Sequence, residues 1–276
     1  MTTPLKWVGS KERVKNLLVE KFPQHNDYFE PFLGSASVFL HYLENVKQQN
    51  RNYYLSDINP HLICVWKAIQ NDCNEFCNQV GDFTNWYNDK NWTRDTYLTF
   101  REDFNKYENL NTQKAAMFFV LLRISFNGLI RYNKKGNFNA AWGERAATFD
   151  RKGVENASIL ISRDNIHFET TSYENISPKA GDLVFCDPPY IPLGDRMIDK
   201  FSYSKEGFEC HQELAKKFEV WNENGVKLMI CNHDSTYFRT LYPNPPFQYK
   251  GYDLVKVFTG HIASRKATTE IVAMNF

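Results

Sequence analysis

No run of about 18 apolar residues occurs in the chain, so no membrane-spanning helix is expected. The first residues, Met1-Thr2-Thr3-Pro4-Leu5-Lys6-Trp7, have neither the charged start nor the apolar stretch of a signal peptide. Cysteine is sparse and poorly spaced for metal. None of the six stands in a Cys-x-x-Cys pair, and Cys73 and Cys77 have no histidine near them in sequence to complete a zinc set. No metal is expected, and the thiols read as reduced side chains of a cytoplasmic protein. There is no repeat and no low-complexity tract. Neither charge dominates: the formal net charge is +1, so any surface for a polyanion has to come from local clustering.

Apolar residues make up 42% of the chain and aromatics 16%, enough for a substantial core and against disorder. A length of 276 residues suits one large domain or a core with an insertion. Residues 11–21 read as a helix capped by Ser10, with Val14, Leu17, Leu18 and Phe22 at helical spacing. Residues 28–32 read as a strand running into the small-residue turn 33–37, and a helix follows through Val38, Phe39, Leu40 and Tyr42. Residues 53–56 form a second strand ending at Asp57, and Asn59-Pro60 opens another helix. Strand, small-residue turn, helix, strand, acid is the first half of a doubly wound nucleotide-binding sheet.

The stretch 70–150 differs. It is rich in Asn, Asp, Tyr and Trp, runs into an apolar helix over 114–124, and ends in a hairpin over 130–139 turning at Lys134-Lys135-Gly136. The α/β rhythm then returns, with strands at 166–169, 183–186, 227–231, 254–258 and 270–275 and a helix over 211–222. The expected fold is α/β: a doubly wound, Rossmann-like sheet built from 1–68 and 150–276. A mainly helical insert over 69–149 carries the β-hairpin.

The sharpest motif is Asp187-Pro188-Pro189-Tyr190, directly after an apolar run suited to a buried parallel strand. Asp187 offers a carboxylate and Pro188 a carbonyl, an acceptor pair on a turn whose φ the prolines fix. Such a pair suits the exocyclic amine of adenine, whose lone pair is delocalised into the ring. One acceptor for each N–H draws the nitrogen toward tetrahedral geometry and frees the lone pair. Tyr190 can then stack on a base turned out of a duplex. A sulfonium methyl donor is already activated and needs no metal, so positioning and desolvation carry the reaction. Gly34 permits a tight turn close to a ligand, and Asp57 lies 23 residues on, where an acid can accept ribose hydroxyls.

Taken together, these motifs resemble the Dam-type DNA adenine methyltransferases (D12 class, alpha group), and the likeness covers essentially the whole chain. Leu5-Lys6-Trp7-Val8-Gly9-Ser10-Lys11, Glu30-Pro31-Phe32-Leu33-Gly34 and Ser56-Asp57-Ile58-Asn59 are similar to that family's opening motifs. Arg131-Tyr132-Asn133 with Gly136 and Phe138-Asn139 is similar to its recognition hairpin, and Asn232-His233-Asp234 and Ser264-Arg265-Lys266 with Glu270 to its late motifs. The resemblance implies S-adenosylmethionine (SAM) as methyl donor, contacted by Trp7, Lys11, Phe32, Gly34, Asp57 and Asp187. It implies double-stranded DNA as partner, with the site GATC, in the cytoplasm of a bacterial or phage-infected cell; a monomer is expected because a short palindrome can be methylated one strand at a time, with a dimer on DNA as the alternative. Lys6 would reach a guanine, Phe126 would wedge into the space left by the flipped adenine, and Asn127, Leu129 and Arg131 would touch bases. Arg131 suits guanine because its fork spans O6 and N7. Four positions depart from the pattern: Ala36 for the second glycine of the cofactor turn, Ser10 for a glycine, Cys231 for a serine, and Ala140-Ala141-Trp142 for a Val-Pro-Phe type segment.

Arg123, Arg131, Lys134, Lys135 and Arg145 oppose only Glu144 over a short span, which suits phosphate contacts, though a solvated charged loop gives the same pattern. Phe201, Tyr203 and Phe208 read either as a lid over the base or as an ordinary loop with inward aromatics. Two rival readings stand: an amine methyltransferase acting on RNA adenine or cytosine N4, and a DNA-binding protein that has lost catalysis.

Overall fold

The computed structural model describes residues 1–45, 50–191, 211–255 and 267–276. The chain is α/β, and seven strands form one sheet in the order β3-β2-β1-β4-β5-β7-β6. These are β1 (Tyr28–Glu30), β2 (Tyr53–Asp57), β3 (Ile166–Thr170), β4 (Leu183–Cys186), β5 (Lys227–His233), β6 (Gln248–Val255) and β7 (Ala267–Met274). The β1–β4, β2–β3 and β4–β5 pairs are parallel, and β7 is antiparallel to both β5 and β6. Expected strand residues 256–258, the aromatics Phe201, Tyr203 and Phe208, Cys210 and Ser264-Arg265-Lys266 lie outside the described residues.

The chain divides into two compact units, the first drawing on 1–22 and 33–172, the second on 23–32 and most of the chain after 172. In the first unit, β2 and β3 accompany α1 (Lys15–Val19), α2 (Ser37–Asn45), α3 (Pro60–Asn71), α4 (Cys73–Asp89), α5 (Arg94–Lys106), α6 (Thr112–Ile124) and α7 (Arg151–Ile161). Asn59 caps α3 by accepting from the backbone N–H groups of His61 (3.0 Å) and Leu62 (3.1 Å), and Pro60 takes the first helical position. Helix α6 is buried on every side, from Lys114 through Leu122 and at Ile124, which marks it as the centre of its unit. Its buried lysine is accommodated at the end of α5: Lys114 Nζ donates to the Phe104 and Tyr107 carbonyls and lies 3.8 Å from the Phe104 ring centroid.

The expected helix over 11–21 is corrected to the short α1. Ahead of it the Lys11 carbonyl accepts from the N–H groups of Val14 (2.9 Å) and Lys15 (2.8 Å) in a turn, and the Lys11 N–H donates to Ser37 Oγ at 3.1 Å. The proposed cap Ser10 instead pairs its hydroxyl with that of Ser35 at 2.8 Å. In the second unit, α8 (His211–Glu223) and α9 (Thr236–Leu241) join β1 and β4–β7, with Phe218, Trp221, Leu228, Ile230 and Ile271 at the core. Among the described residues no helix is long and apolar enough to cross a membrane.

Candidate active site

In the first unit, β2 delivers Asp57 at its C-terminal end. The carboxylate accepts from the N–H of Gly34 at Oδ2 (3.2 Å) and of Asn59 at Oδ1 (3.0 Å). Burial nevertheless outweighs these bonds and pushes its pKa up to about 6. Gly34 stands at φ +49°, and a Cβ there would lie 2.9 Å from Trp7 Nε1, so the indole lies directly against the turn and only glycine fits. Two residues on, Ala36 takes φ +51°, the left-handed region that glycine enters without strain and alanine does not. Lys11, only 6% exposed, donates from Nζ to the Gly9 carbonyl at 2.9 Å. Trp7, Lys11, Gly34 and Asp57 are thus four expected cofactor residues within one unit.

In the second unit, all four residues of β4 are buried, and the chain leaves it as Asp187-Pro188-Pro189-Tyr190. Parallel pairing with β1 sets Tyr28 against Leu183 and Phe29 against Val184, with Glu30 next along. Glu30 is buried and accepts from Tyr28 Oη at 2.6 Å. Burial foremost, and the nearby Asp187 carboxylate in lesser part, raise its pKa to about 8 against the lowering effect of that bond. Phe32 is stacked on Tyr173, with ring centroids 5.6 Å apart. Tyr190 donates from Oη to Glu270 Oε2 at 2.8 Å and meets the His233 ring edge-on at 4.8 Å.

The segment over 126–142, expected to carry recognition, belongs to the first unit. Phe126 stands 49% exposed at a single turn of 3-10 helix over Phe126–Gly128, with Asn127 at φ +53°. A Cβ on Gly128 would meet Lys6 Cε at 2.9 Å, so the Lys6 stem runs across this turn. Burial and the neighbouring Arg145 and Arg123 charges hold the Lys6 ammonium below its usual pKa. The expected hairpin over 130–139 is a short antiparallel pair, Tyr132 against Phe138, with the Asn139 N–H donating to the Arg131 carbonyl (2.8 Å) and the Asn133 N–H to the Asn137 carbonyl (2.9 Å); Ser125 and Trp142 form a second bridge outside it. A helix side chain takes the groups that face out of this pair: Asn105 accepts from the Phe138 N–H (2.8 Å) and donates to the Phe138 carbonyl (3.0 Å). Tyr97 and Arg101 both donate to the Ala140 carbonyl, at 2.7 and 3.1 Å. Four residues of helix rise about 6 Å and two residues of extended chain about 6.6 Å, so positions 101 and 105 of α5 keep step with 140 and 138. Asn133 Oδ1 closes the tip by accepting from Lys135 (2.9 Å) and Asn137 (3.1 Å), and Lys134 and Lys135 are exposed. Arg131 is exposed and held by Asn139, Nε to Oδ1 and Nη2 to the carbonyl, both 2.9 Å; Leu129 is half-buried.

A profile of the D12 class N6 adenine-specific DNA methyltransferases matches residues 7–256. The chain belongs to this family. A DNA adenine methylase of Vibrio cholerae serotype O1 (strain ATCC 39541) is 29% identical, covering 95% of this chain and 97% of that protein. The Type II methyltransferase M.MjaIII of Methanocaldococcus jannaschii is 28% identical over 99% and 98%. The DNA adenine methylase of Escherichia coli K12 is 28% identical over 98% and 94%. Family membership sets aside the RNA adenine and cytosine N4 readings.

Sequence reasoning missed three contributors to this methyltransferase. Tyr97, Arg101 and Asn105, which pin the recognition segment, form a polar stripe at four-residue spacing that was legible in α5. Glu270 was noted only as part of a late motif, although a carboxylate beside the apolar run Ile271-Val272-Ala273 is itself a signal. Asn59 Nδ2 (3.3 Å) and His61 Nδ1 (2.8 Å) both reach Tyr132 Oη; nothing in the sequence spacing brings position 132 to position 59.

Proposed function

We propose that this methyltransferase transfers a methyl group from SAM to the N6 amine of an adenine flipped out of duplex DNA, with GATC as its site. The observation that carries the reading is the Asp187-Pro188-Pro189-Tyr190 turn at the end of the fully buried strand β4. The Asp187 carboxylate and the Pro188 carbonyl each accept a hydrogen bond from one amine N–H. Tyr190 stacks on the base and excludes water from its face.

The first unit's residues fit SAM. The Gly34 turn lies where no Cβ is tolerated, buried Lys11 suits a carboxylate, and Asp57 offers an acceptor for vicinal hydroxyls. When bound, SAM supplies an activated methyl group. Trp7, Lys11, Phe32, Gly34, Asp57 and Asp187 hold and orient it. We assign 1–68 and 150–276 to cofactor binding and catalysis and 69–149 to target recognition. Lys6 and Arg131 read guanines, Phe126 fills the space left by the flipped base, Asn127 and Leu129 touch bases, and Lys134 and Lys135 contact phosphates. The exposure of Phe126 and Arg131 on a pinned backbone supports these roles.

The test is transfer of radiolabelled methyl from SAM to a GATC duplex and to one with GTTC in its place, followed by nucleoside analysis. N6-methyladenine in the GATC duplex alone is expected. Label in both duplexes would discard the GATC assignment, and label in neither would discard the reading.

A further inference from the structure

Tyr190 is restrained at both ends. Its hydroxyl donates to Glu270 Oε2 at 2.8 Å, its ring meets His233 at 4.8 Å and 80°, and the N–H of the next residue, Ile191, donates to Asn232 Oδ1 at 3.0 Å. These contacts come from one strand pair. In the β5–β7 register His233 lies directly opposite Glu270, and directly opposed residues project from the same face of a sheet. All three partners are buried: Glu270 is 3% exposed, His233 5% and Asn232 0%. Glu270 sits beside Ile271, Val272 and Ala273, each fully buried, where an acidic side chain is costly and apolar packing gives no reason for it.

We propose that Glu270 is a positioning residue for the methyl-transfer step: it locks the Tyr190 ring in the plane in which it stacks on the target adenine. A hydrogen bond to a carboxylate is about twice as strong as one between neutral groups, and it fixes the phenol's far end while Asn232 fixes the backbone beside it. Stacking then needs no reorganisation of the aromatic surface when the base arrives. This inference rests on the reading of Tyr190 as the stacking residue.

The experiment is a double-mutant cycle on the full chain, read as single-turnover methyl transfer at saturating DNA and SAM, with the DNA dissociation constant measured alongside. Glu270→Leu is expected to slow transfer about tenfold with DNA affinity within about twofold of the parent, and Glu270→Gln, which keeps an acceptor oxygen, to recover most of the rate. Tyr190→Phe is expected to slow transfer by a similar factor, and the Tyr190→Phe/Glu270→Leu pair to be no slower than Tyr190→Phe alone. A parental rate in Glu270→Leu, or slowing that multiplies in the pair, overturns the proposal. If Glu270→Leu does not fold, judged by its thermal midpoint, Glu270→Gln carries the test. It should then slow the parent measurably and the Tyr190→Phe background not at all; equal slowing of both overturns the proposal. A parent enzyme that places no methyl group on duplex adenine would instead mean that the functional reading has failed.

Discussion

The recognition segment over 126–142 and the catalytic turn over 187–191 are both short, irregular stretches, yet they are secured in opposite ways. The recognition segment is fastened through its backbone. Asn105, Tyr97 and Arg101 take the amide groups of Phe138 and Ala140, while the side chains of Phe126, Arg131, Lys134 and Lys135 stay exposed. The catalytic turn is fastened through its side chains and their surroundings: Pro188 is buried, Tyr190 is bonded to Glu270, and buried Glu30 lies near Asp187. A surface that reads DNA needs a fixed track with side chains available to the ligand. A group that activates an amine needs its own orientation and its dielectric surroundings fixed before substrate arrives.

Breaking the catalytic turn gives the largest expected effect. Asp187→Asn removes the anionic acceptor and should lower the single-turnover rate by roughly 10²–10³-fold, measured by quenched-flow methyl transfer. A change below tenfold would contradict the assigned role.

Next is Glu30. Its pKa in the fold, about 8, lies above its ordinary value of 4.5, so the native state favours the protonated form. The associated stability is present below pH 4.5 and lost as the pH rises through 8. Glu30→Gln keeps an acceptor for Tyr28 and does not ionise. It should therefore become more stable than the parent by roughly 3–5 kcal/mol between pH 4.5 and 9, at about 1.4 kcal/mol per pKa unit. Denaturation at pH 5, 7 and 9 checks this, and parallel stability curves for the two proteins would refute it.

The recognition side responds more weakly. Asn105→Ala leaves the N–H and carbonyl of buried Phe138 without their helix partner and should cost about 1–3 kcal/mol in urea unfolding. Equal stability would mean the backbone is not pinned from α5. Arg131→Ala should relax discrimination between cognate and single-base-changed duplexes by about 1–3 kcal/mol. Lys135→Ala should weaken both duplexes equally and reduce the salt slope by about 1. If Arg131→Ala also weakens both equally, Arg131 is a phosphate contact and the difference between the two residues disappears.

Much of this was legible residue by residue. Strands β1 through β5 followed from apolar runs bounded by turn residues, and α3 from Asn59-Pro60, because short-range signals of that kind act within a few residues. Ala36 was recognised in sequence as a departure from a glycine pattern, and its φ of +51° gives the departure its physical content. The hairpin follows from its turn chemistry, Asn133 with Gly136, whereas its attachment to Asn105, 33 residues away, has no local signal. Helix α1 is shorter than expected because the hydroxyl of Ser10 meets Ser35, 25 residues away, in place of capping, a contact that the periodicity of Val14 and Leu18 does not carry.

The sequence by itself determined the reaction-bearing motif, the acid at the end of β2, the glycine of the first turn and the alternation of strand and helix, since each is written in contiguous residues with a local physical cause. Only the tertiary structure decided that Glu270 meets Tyr190, that α5 fastens the recognition segment and that Glu30 lies near Asp187. Those contacts join residues 80, 33 and 157 positions apart, and their energy comes from burial and register, which exist only once the strands are paired.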